Sequence, residues 1–405
     1  MPEPQSTAFF VLLIVVFAGL MWWMAVAKQV VFRILAACLA FIPAMAFGVA
    51  AVNKYYDYYQ NWGSAISDFT GQNNQAAEVP NADTRSERKF STFLGNSVDQ
   101  TVAEQFGYTA HLEVTGQVTH ITRSVYVYLP PQYFQPSYRN YRFPAIELLH
   151  GFPGTPLDWI TVVGVTSMMQ QLISAGQVKP AVLVMPDANG GRAISLQCLN
   201  QYKGTQDATY LAEDLPTYIS QKLRVQPPGD AWGIAGYSEG GFCAANLGLK
   251  FGSRFGYAGV LSGYFVPFDN QIGRPPRLVS PFGGNAKLRL DNTPDHLVLA
   301  LPPGTKIPKF WLGVGAADHT DYKNAQVFEQ LVQTRQPNVV LKVVPGGGHS
   351  MFTWRSLMPP LLRWMTPQLA DVVSAQEARQ ARAAEKAAAH KLTATRAPAH
   401  TKSAP

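Results

Sequence analysis

Five residues, Gly236, Tyr237, Ser238, Glu239 and Gly240, follow the short apolar run 231–235 and precede the helix-like segment 242–249. A Gly-x-Ser-x-Gly pattern at such a junction asks for a sharp strand-to-helix turn. The turn lifts the serine hydroxyl above the end of the strand, and the flanking glycines let neighbouring backbones come close. The helix N-terminus behind it favours negative charge beside that hydroxyl. The bare pattern recurs by chance in many proteins; the order strand, turn, helix weighs against a merely structural glycine-rich turn.

Such an elbow needs a sheet. Short apolar runs at 124–129, 145–149, 181–185, 231–235, 257–261, 310–314 and 339–344 alternate with helix-like stretches such as 210–223 and 322–335. Buried strands alternating with helices predict an α/β fold, its mostly parallel central sheet covered on both faces. Chemistry in such sheets lies beyond the carboxyl ends of the strands.

A serine hydroxyl becomes a nucleophile only when a base takes its proton, and the base needs a third group to hold its tautomer. In this chain order the acid and the histidine follow the serine. Asp318 stands in the loop after the run 310–314, with Asp321 as the rival acid. His349 stands on the glycine-rich loop 346–348 after the run 339–344. His150, His296 and His319 suit the role less, because none follows the acid by a helix and a strand. The oxyanion of a tetrahedral intermediate needs two donors. These are expected from the backbone N–H of Glu239 and from the loop His150, Gly151, Phe152, Pro153, Gly154, where Phe152 is chosen because Pro153 has no N–H; the alternative is that this loop is only a tight turn.

Together these residues resemble the esterase family that includes S-formylglutathione hydrolase and the antigen 85 mycolyltransferases, within the α/β-hydrolase fold. The resemblance covers about 116–365. It rests on Val127, Tyr128, Leu129, Pro130 and Pro131, on 148–151, on Asp158 with Trp159, on 185–187 and on the elbow. The likeness is greatest to actinobacterial membrane-anchored esterases. It implies hydrolysis of carboxylic esters or acyl transfer through an acyl-serine, with no metal and no cofactor. The chain departs from antigen 85 in keeping an N-terminal hairpin and in offering an aspartate where those transferases use glutamate. The expectation is an extracytoplasmic serine esterase acting on an ester substrate, lipid or glycolipid among the candidates. The alternatives are an envelope acyltransferase serving a sugar or glycolipid hydroxyl, and a non-catalytic binding module, which a complete set of catalytic residues disfavours.

Residues 8–27 and 34–52 carry no charge, and 20 residues of helix span about 30 Å, the thickness of a hydrocarbon core. They predict a transmembrane hairpin in contact with membrane lipid over residues 1–53; Pro43 is tolerable in such a helix. Lys28 and Arg33 in the join place it in the cytoplasm and both ends outside. A cleaved signal peptide is the rival, since Ala25, Val26 and Ala27 resemble a cleavage site, but no basic residue precedes the apolar run, which is too long for a signal. Composition agrees with a partly membrane-borne chain: 47% of the 405 residues are hydrophobic and only 15% charged, against about 25% charged in soluble proteins.

The hairpin leads into a juxtamembrane stalk, 54–107, whose Tyr55, Tyr56, Tyr58, Tyr59 and Trp62 suit an interfacial belt or a patch packed on the next domain. The hydrolase domain is expected over 108–373, with the long stretch 263–308 as a lid. A basic, Ala-rich tail, 374–405, follows, helical at first. The net charge of +7 is concentrated there, six basic residues against two acidic. With no nucleic-acid motif alongside, it argues against nucleic acid and for a solubilising extension or attraction to an anionic surface. Cys38 lies in the second apolar run. Cys198 and Cys243 are expected either to pair, if the domain lies outside the cytoplasm, or to be two buried thiols. Glu213 and Asp214 are read as a solvated helix face, and Glu147 in an apolar strand has no ready account. No pattern indicates an oligomeric state.

Overall fold

The computed structural model describes residues 2–56, Trp62, Ile66, 100–191, 195–269 and 280–394, with side chains to Lys54 in the first span and to Ser374 in the last. Most of the expected stalk (67–99), part of the expected lid (270–279), Tyr58, Tyr59 and the tail beyond Ala394 lie outside these residues.

Helices α1 (Thr7–Val26) and α2 (Val30–Tyr56) form a hairpin. Ser6 starts α1, its hydroxyl accepting the N–H of Phe9 at 3.2 Å, and Arg33 closes the join by donating from Nε to the Ala27 carbonyl at 2.8 Å. Both helices are long and apolar enough to cross a membrane, and Trp22, Val31, Phe41 and Val49 stand exposed along them.

The remaining strands make one eight-stranded sheet in the order β1-β2-β4-β3-β5-β6-β7-β8. They are β1 (Tyr108–Thr115), β2 (Thr122–Leu129), β3 (Ala145–Leu149), β4 (Val182–Pro186), β5 (Gly229–Tyr237), β6 (Phe255–Leu261), β7 (Lys309–Gly315) and β8 (Val340–Val344). β1 and β2 run antiparallel at one edge and every pairing beyond β4 is parallel. This is the α/β-hydrolase arrangement. β1 is the strand missing from the sequence reading. Its inward Ala110, Leu112 and Val114 alternate with outward His111, Glu113 and Thr115, the mark of an antiparallel strand with one wet face.

Side chains leave each strand alternately, so the sheet builds two cores. Trp232 and Ile234 of β5 join Phe242, Phe310 and Phe328 on one face. Ala235 and Tyr237 join Trp159, Trp354 and Leu361 on the other. The helix Glu239–Lys250 covers the first face, and the start of the long helix Met351–Ala394 covers the second.

One expectation needs correcting. Asp214 is not on a solvated face. It is buried and accepts from Val118 N at 2.8 Å, Thr119 N at 3.0 Å and the Thr119 hydroxyl at 2.7 Å, tying its helix to the β1–β2 turn. Burial works against its charge, but these donors hold its carboxyl below the usual range. The helix accommodates the contact with a π-turn, Tyr210–Asp214.

Candidate active site

Because β3, β5, β6, β7 and β8 are parallel, their carboxyl ends open on one edge of the sheet, and the loops there hold the sequence-expected site residues. β5 ends at Tyr237, and Ser238 follows at φ 55° and ψ −120°, a conformation costly for a residue with a Cβ. The turn survives because glycines let three backbones meet: a Cβ on Gly240 would lie 2.0 Å from the Leu149 carbonyl oxygen, and one on Gly236 would lie 2.2 Å from that of Gly240. The Ser238 N–H donates to Leu261 O at 2.9 Å, fixing the turn to β6.

The loops after β7 and β8 are joined directly. Ala316 N donates to Val344 O at 2.9 Å and Ala317 N to Gly347 O at 2.8 Å, while Thr353 Oγ1 donates to Gly348 O at 2.7 Å. This brings His349 between the serine and the acids. Its Nε2 lies 2.9 Å from Ser238 Oγ and its Nδ1 2.8 Å from Asp318 Oδ2. Asp321, weighed in the sequence as an alternative acid, also reaches Nδ1, at 3.1 Å. Both acids therefore face the same nitrogen. The ring packs edge-on against Trp354 with centroids 5.1 Å apart, and Trp354 in turn stacks on Tyr237 at 4.5 Å.

Partial burial would lower the basicity of His349, but its contacts with Asp318 and Asp321 stabilise the imidazolium and push its pKa up to about 9. The same three side chains are close enough to share a cation. His349 thus bridges the two carboxylates through Nδ1 and the Ser238 hydroxyl through Nε2.

Behind the elbow, His150 is buried between two backbone groups. Ala188 N–H donates to its Nε2 at 3.1 Å, so Nδ1 carries the proton and donates to Gly151 O at 2.8 Å. Asp158 accepts from Tyr237 Oη and Thr155 N, both at 3.1 Å, pinning the loop 151–158 to the elbow residue. Phe152 and Glu239 line a cavity of about 660 Å³ together with Ser238 and His349.

The Glu239 side chain is buried and accepts from Ser195 Oγ and, at 3.2 Å, from Gln197 N. Burial raises its pKa while these donors pull it down. Next to this contact, Cys198 and Cys243 form a disulfide tying the 195–201 loop to the helix behind Ser238. An apolar wall, Tyr264, Phe265, Val266, Pro267 and Phe268, from the stretch expected to be a lid, also lines the cavity. Sequence reasoning missed Arg289 and Asp295, which also line the cavity. They come from two short helices inside that stretch, and no motif marks them.

The family model named Esterase matches residues 116–365. The chain belongs to this esterase family. The chain is 25% identical over 338 residues to an uncharacterized protein of Corynebacterium glutamicum, covering 82% of this chain and 76% of that one. A shorter stretch of 77 residues is 39% identical to the MPT51 antigen of Mycobacterium leprae, covering 19% of this chain and 25% of that protein. Among solved structures, a ferulic acid esterase superposes with a TM-score of 0.56 at 21% identity, covering 65% of this chain and 98% of that one. An S-formylglutathione hydrolase from Agrobacterium tumefaciens gives 0.53 at 20% identity, covering 65% and 96%. A fluorophosphonate-binding serine hydrolase from Staphylococcus aureus gives 0.53 at 18%, covering 64% and 98%. At these identities the structures establish the shared fold.

Proposed function

We propose that this chain is a membrane-anchored serine esterase whose hydrolase domain, about 108–373, faces outward. The observation that carries the reading is His349, with one ring nitrogen on Ser238 Oγ and the other on Asp318. Ser238 Oγ attacks the ester carbonyl as His349 Nε2 takes its proton. Asp318 holds the Nδ1–H tautomer and stabilises the imidazolium that forms. The negative oxygen of the tetrahedral intermediate sits between the N–H groups of Phe152 and Glu239, each donor contributing about 10²- to 10³-fold. Collapse returns the proton from Nε2 to the leaving alcohol. A water, deprotonated by the same nitrogen, then attacks the acyl carbonyl, and Nε2 returns that proton to Ser238 Oγ as the acid leaves. Every proton in this cycle passes through His349 Nε2, so the residues themselves suffice for the chemistry.

The membrane reading is supported by the two apolar helices, and the outward domain by Lys28 and Arg33 in the join, which favour the cytoplasmic side. The disulfide fits an oxidising compartment. The test is turnover of nitrophenyl butyrate by the full chain in detergent. Wild type should release free butyrate, while Ser238→Ala and Asp318→Asn should each lose at least about 10³-fold in kcat/KM. Equal turnover by wild type and Ser238→Ala would overturn the assignment.

A further inference from the structure

The Gly151–Phe152 peptide lies beside the nucleophile: a Cβ on Gly151 would stand 2.8 Å from the Tyr237 ring and 3.1 Å from Ser238 Cβ. The cis bond of this loop is the next one, Phe152–Pro153. The Gly151–Phe152 peptide is trans, so its carbonyl and its N–H point in opposite directions. The carbonyl oxygen accepts from His150 Nδ1 at 2.8 Å. The N–H, which belongs to Phe152, therefore points away from the His150 ring, and it has no acceptor among the described residues. The N–H of Glu239, the first residue of the helix after Ser238, has none among them either.

Which way this peptide faces depends on which nitrogen of His150 carries the proton. The ring is buried. Ala188 N–H donates to Nε2 at 3.1 Å, which leaves Nδ1 as the donor. The Ala188 amide is fixed in turn by Asp187, whose N–H donates to Ser124 O at 2.9 Å and whose Oδ1 accepts from Asn189 N at 2.9 Å and Gly190 N at 2.7 Å. The other tautomer would set two N–H groups against each other at Nε2 and leave Gly151 O without its donor, both costly in a buried place. A peptide freed from His150 could turn its carbonyl toward Ser238, where it would repel a developing oxyanion instead of binding it.

We propose that His150 is a positioning residue for the oxyanion hole: its Nδ1–H tautomer, imposed by Ala188, holds Gly151 O back so that Phe152 N–H faces the charge that develops beside Ser238. The proposal rests on the serine-esterase reading above. It makes the direction of a donor worth about 10²- to 10³-fold depend on a side chain that never touches the substrate.

The experiment places an amide at one ring nitrogen or the other. In His150→Asn the side-chain N–H takes the place of Nδ1–H, whereas in His150→Gln it reaches the Nε2 position and leaves Gly151 O without its donor. With the full chain in detergent and nitrophenyl butyrate, His150→Asn should keep kcat within about fivefold of wild type, and His150→Gln should lose at least about 30-fold in kcat with KM within about threefold. Inhibition by an alkyl trifluoromethyl ketone, whose serine adduct carries the oxyanion, should weaken in His150→Gln by the same factor as kcat falls. Equal activity of the two variants, or a loss in His150→Gln with ketone affinity unchanged, would overturn the proposal. Nitrogen NMR of the wild type needs neither variant: the His150 ring, assigned through its own backbone, should be neutral and protonated at Nδ1, and an imidazolium or an Nε2–H tautomer would overturn the proposal equally. A wild type that neither turns over the ester nor binds the ketone would instead remove the esterase reading itself.

Discussion

The side-chain amide of Gln197 pairs with the peptide of Phe268 as one strand pairs with another: Nε2 donates to Phe268 O at 2.8 Å, and Oε1 accepts Phe268 N–H at 2.8 Å. Oε1 also accepts from Tyr264 Oη at 3.3 Å. One buried residue therefore fixes the apolar wall of the cavity, and it is itself fixed by Glu239 on one side and the Cys198–Cys243 disulfide on the other.

This clamp predicts that Gln197→Ala changes which acyl groups are accepted. The ratio of kcat/KM for octanoyl over acetyl nitrophenyl esters should shift by about fivefold or more, since misplacing a wall by a fraction of an ångström alters fit. A uniform change across chain lengths would refute it. Replacing both Cys198 and Cys243 by Ser should move the same ratio in the same direction and also lower stability by about 2–4 kcal/mol in a urea melt.

The doubled acid at His349 predicts the pH profile. The base must be neutral to accept the serine proton, and a pKa of about 9 keeps it protonated at neutral pH in the free enzyme. kcat/KM should therefore rise with pH through about 9. Asp321→Asn removes one of the carboxylates that favour the imidazolium, so its rise should move to lower pH. Measured profiles that coincide for wild type and Asp321→Asn would show that Asp321 does not act on His349.

Glu147 predicts a stabilising substitution. It lies fully buried in β3 with both carboxylate oxygens unpartnered among the described residues, and burial drives its pKa well above the ordinary range, a nearby Arg254 only partly opposing this. Glu147→Leu removes the orphaned acceptors at similar volume and should raise stability by about 1–3 kcal/mol in chemical denaturation. A less stable variant would mean that the carboxyl is satisfied in solution.

Topology is testable at the join between α1 and α2. A Gln29→Cys probe in a Cys38→Ala background should react with an impermeant maleimide only after the cells are opened. Labelling of intact cells would invert the orientation.

Where the sequence was legible, it was legible through local rules. The elbow is a consequence of Gly236 and Gly240 flanking Ser238. The strand runs stand out because parallel strands buried on both faces are continuously apolar, and the loop positions of Asp318 and His349 follow from the strands before them. β1 was lost because one of its faces is wet, so its apolar residues come only at every second position. Asp214 was misread because its partners, Val118 and Thr119, lie nearly a hundred residues away. Tertiary neighbours also decide that Asp318 and Asp321 share one nitrogen. Arg289 and Asp295 carry no motif, and only the folded cavity brings them to Ser238.

The central claim is that His349 activates Ser238. It is tested most directly by labelling the full chain in detergent with a fluorophosphonate probe and mapping the modified peptide. The account predicts one labelled residue, Ser238, with labelling abolished in Ser238→Ala and slowed by at least about 10³-fold in His349→Ala. A folded wild-type protein that resists the probe, or labelling that persists at full rate in His349→Ala, would contradict it.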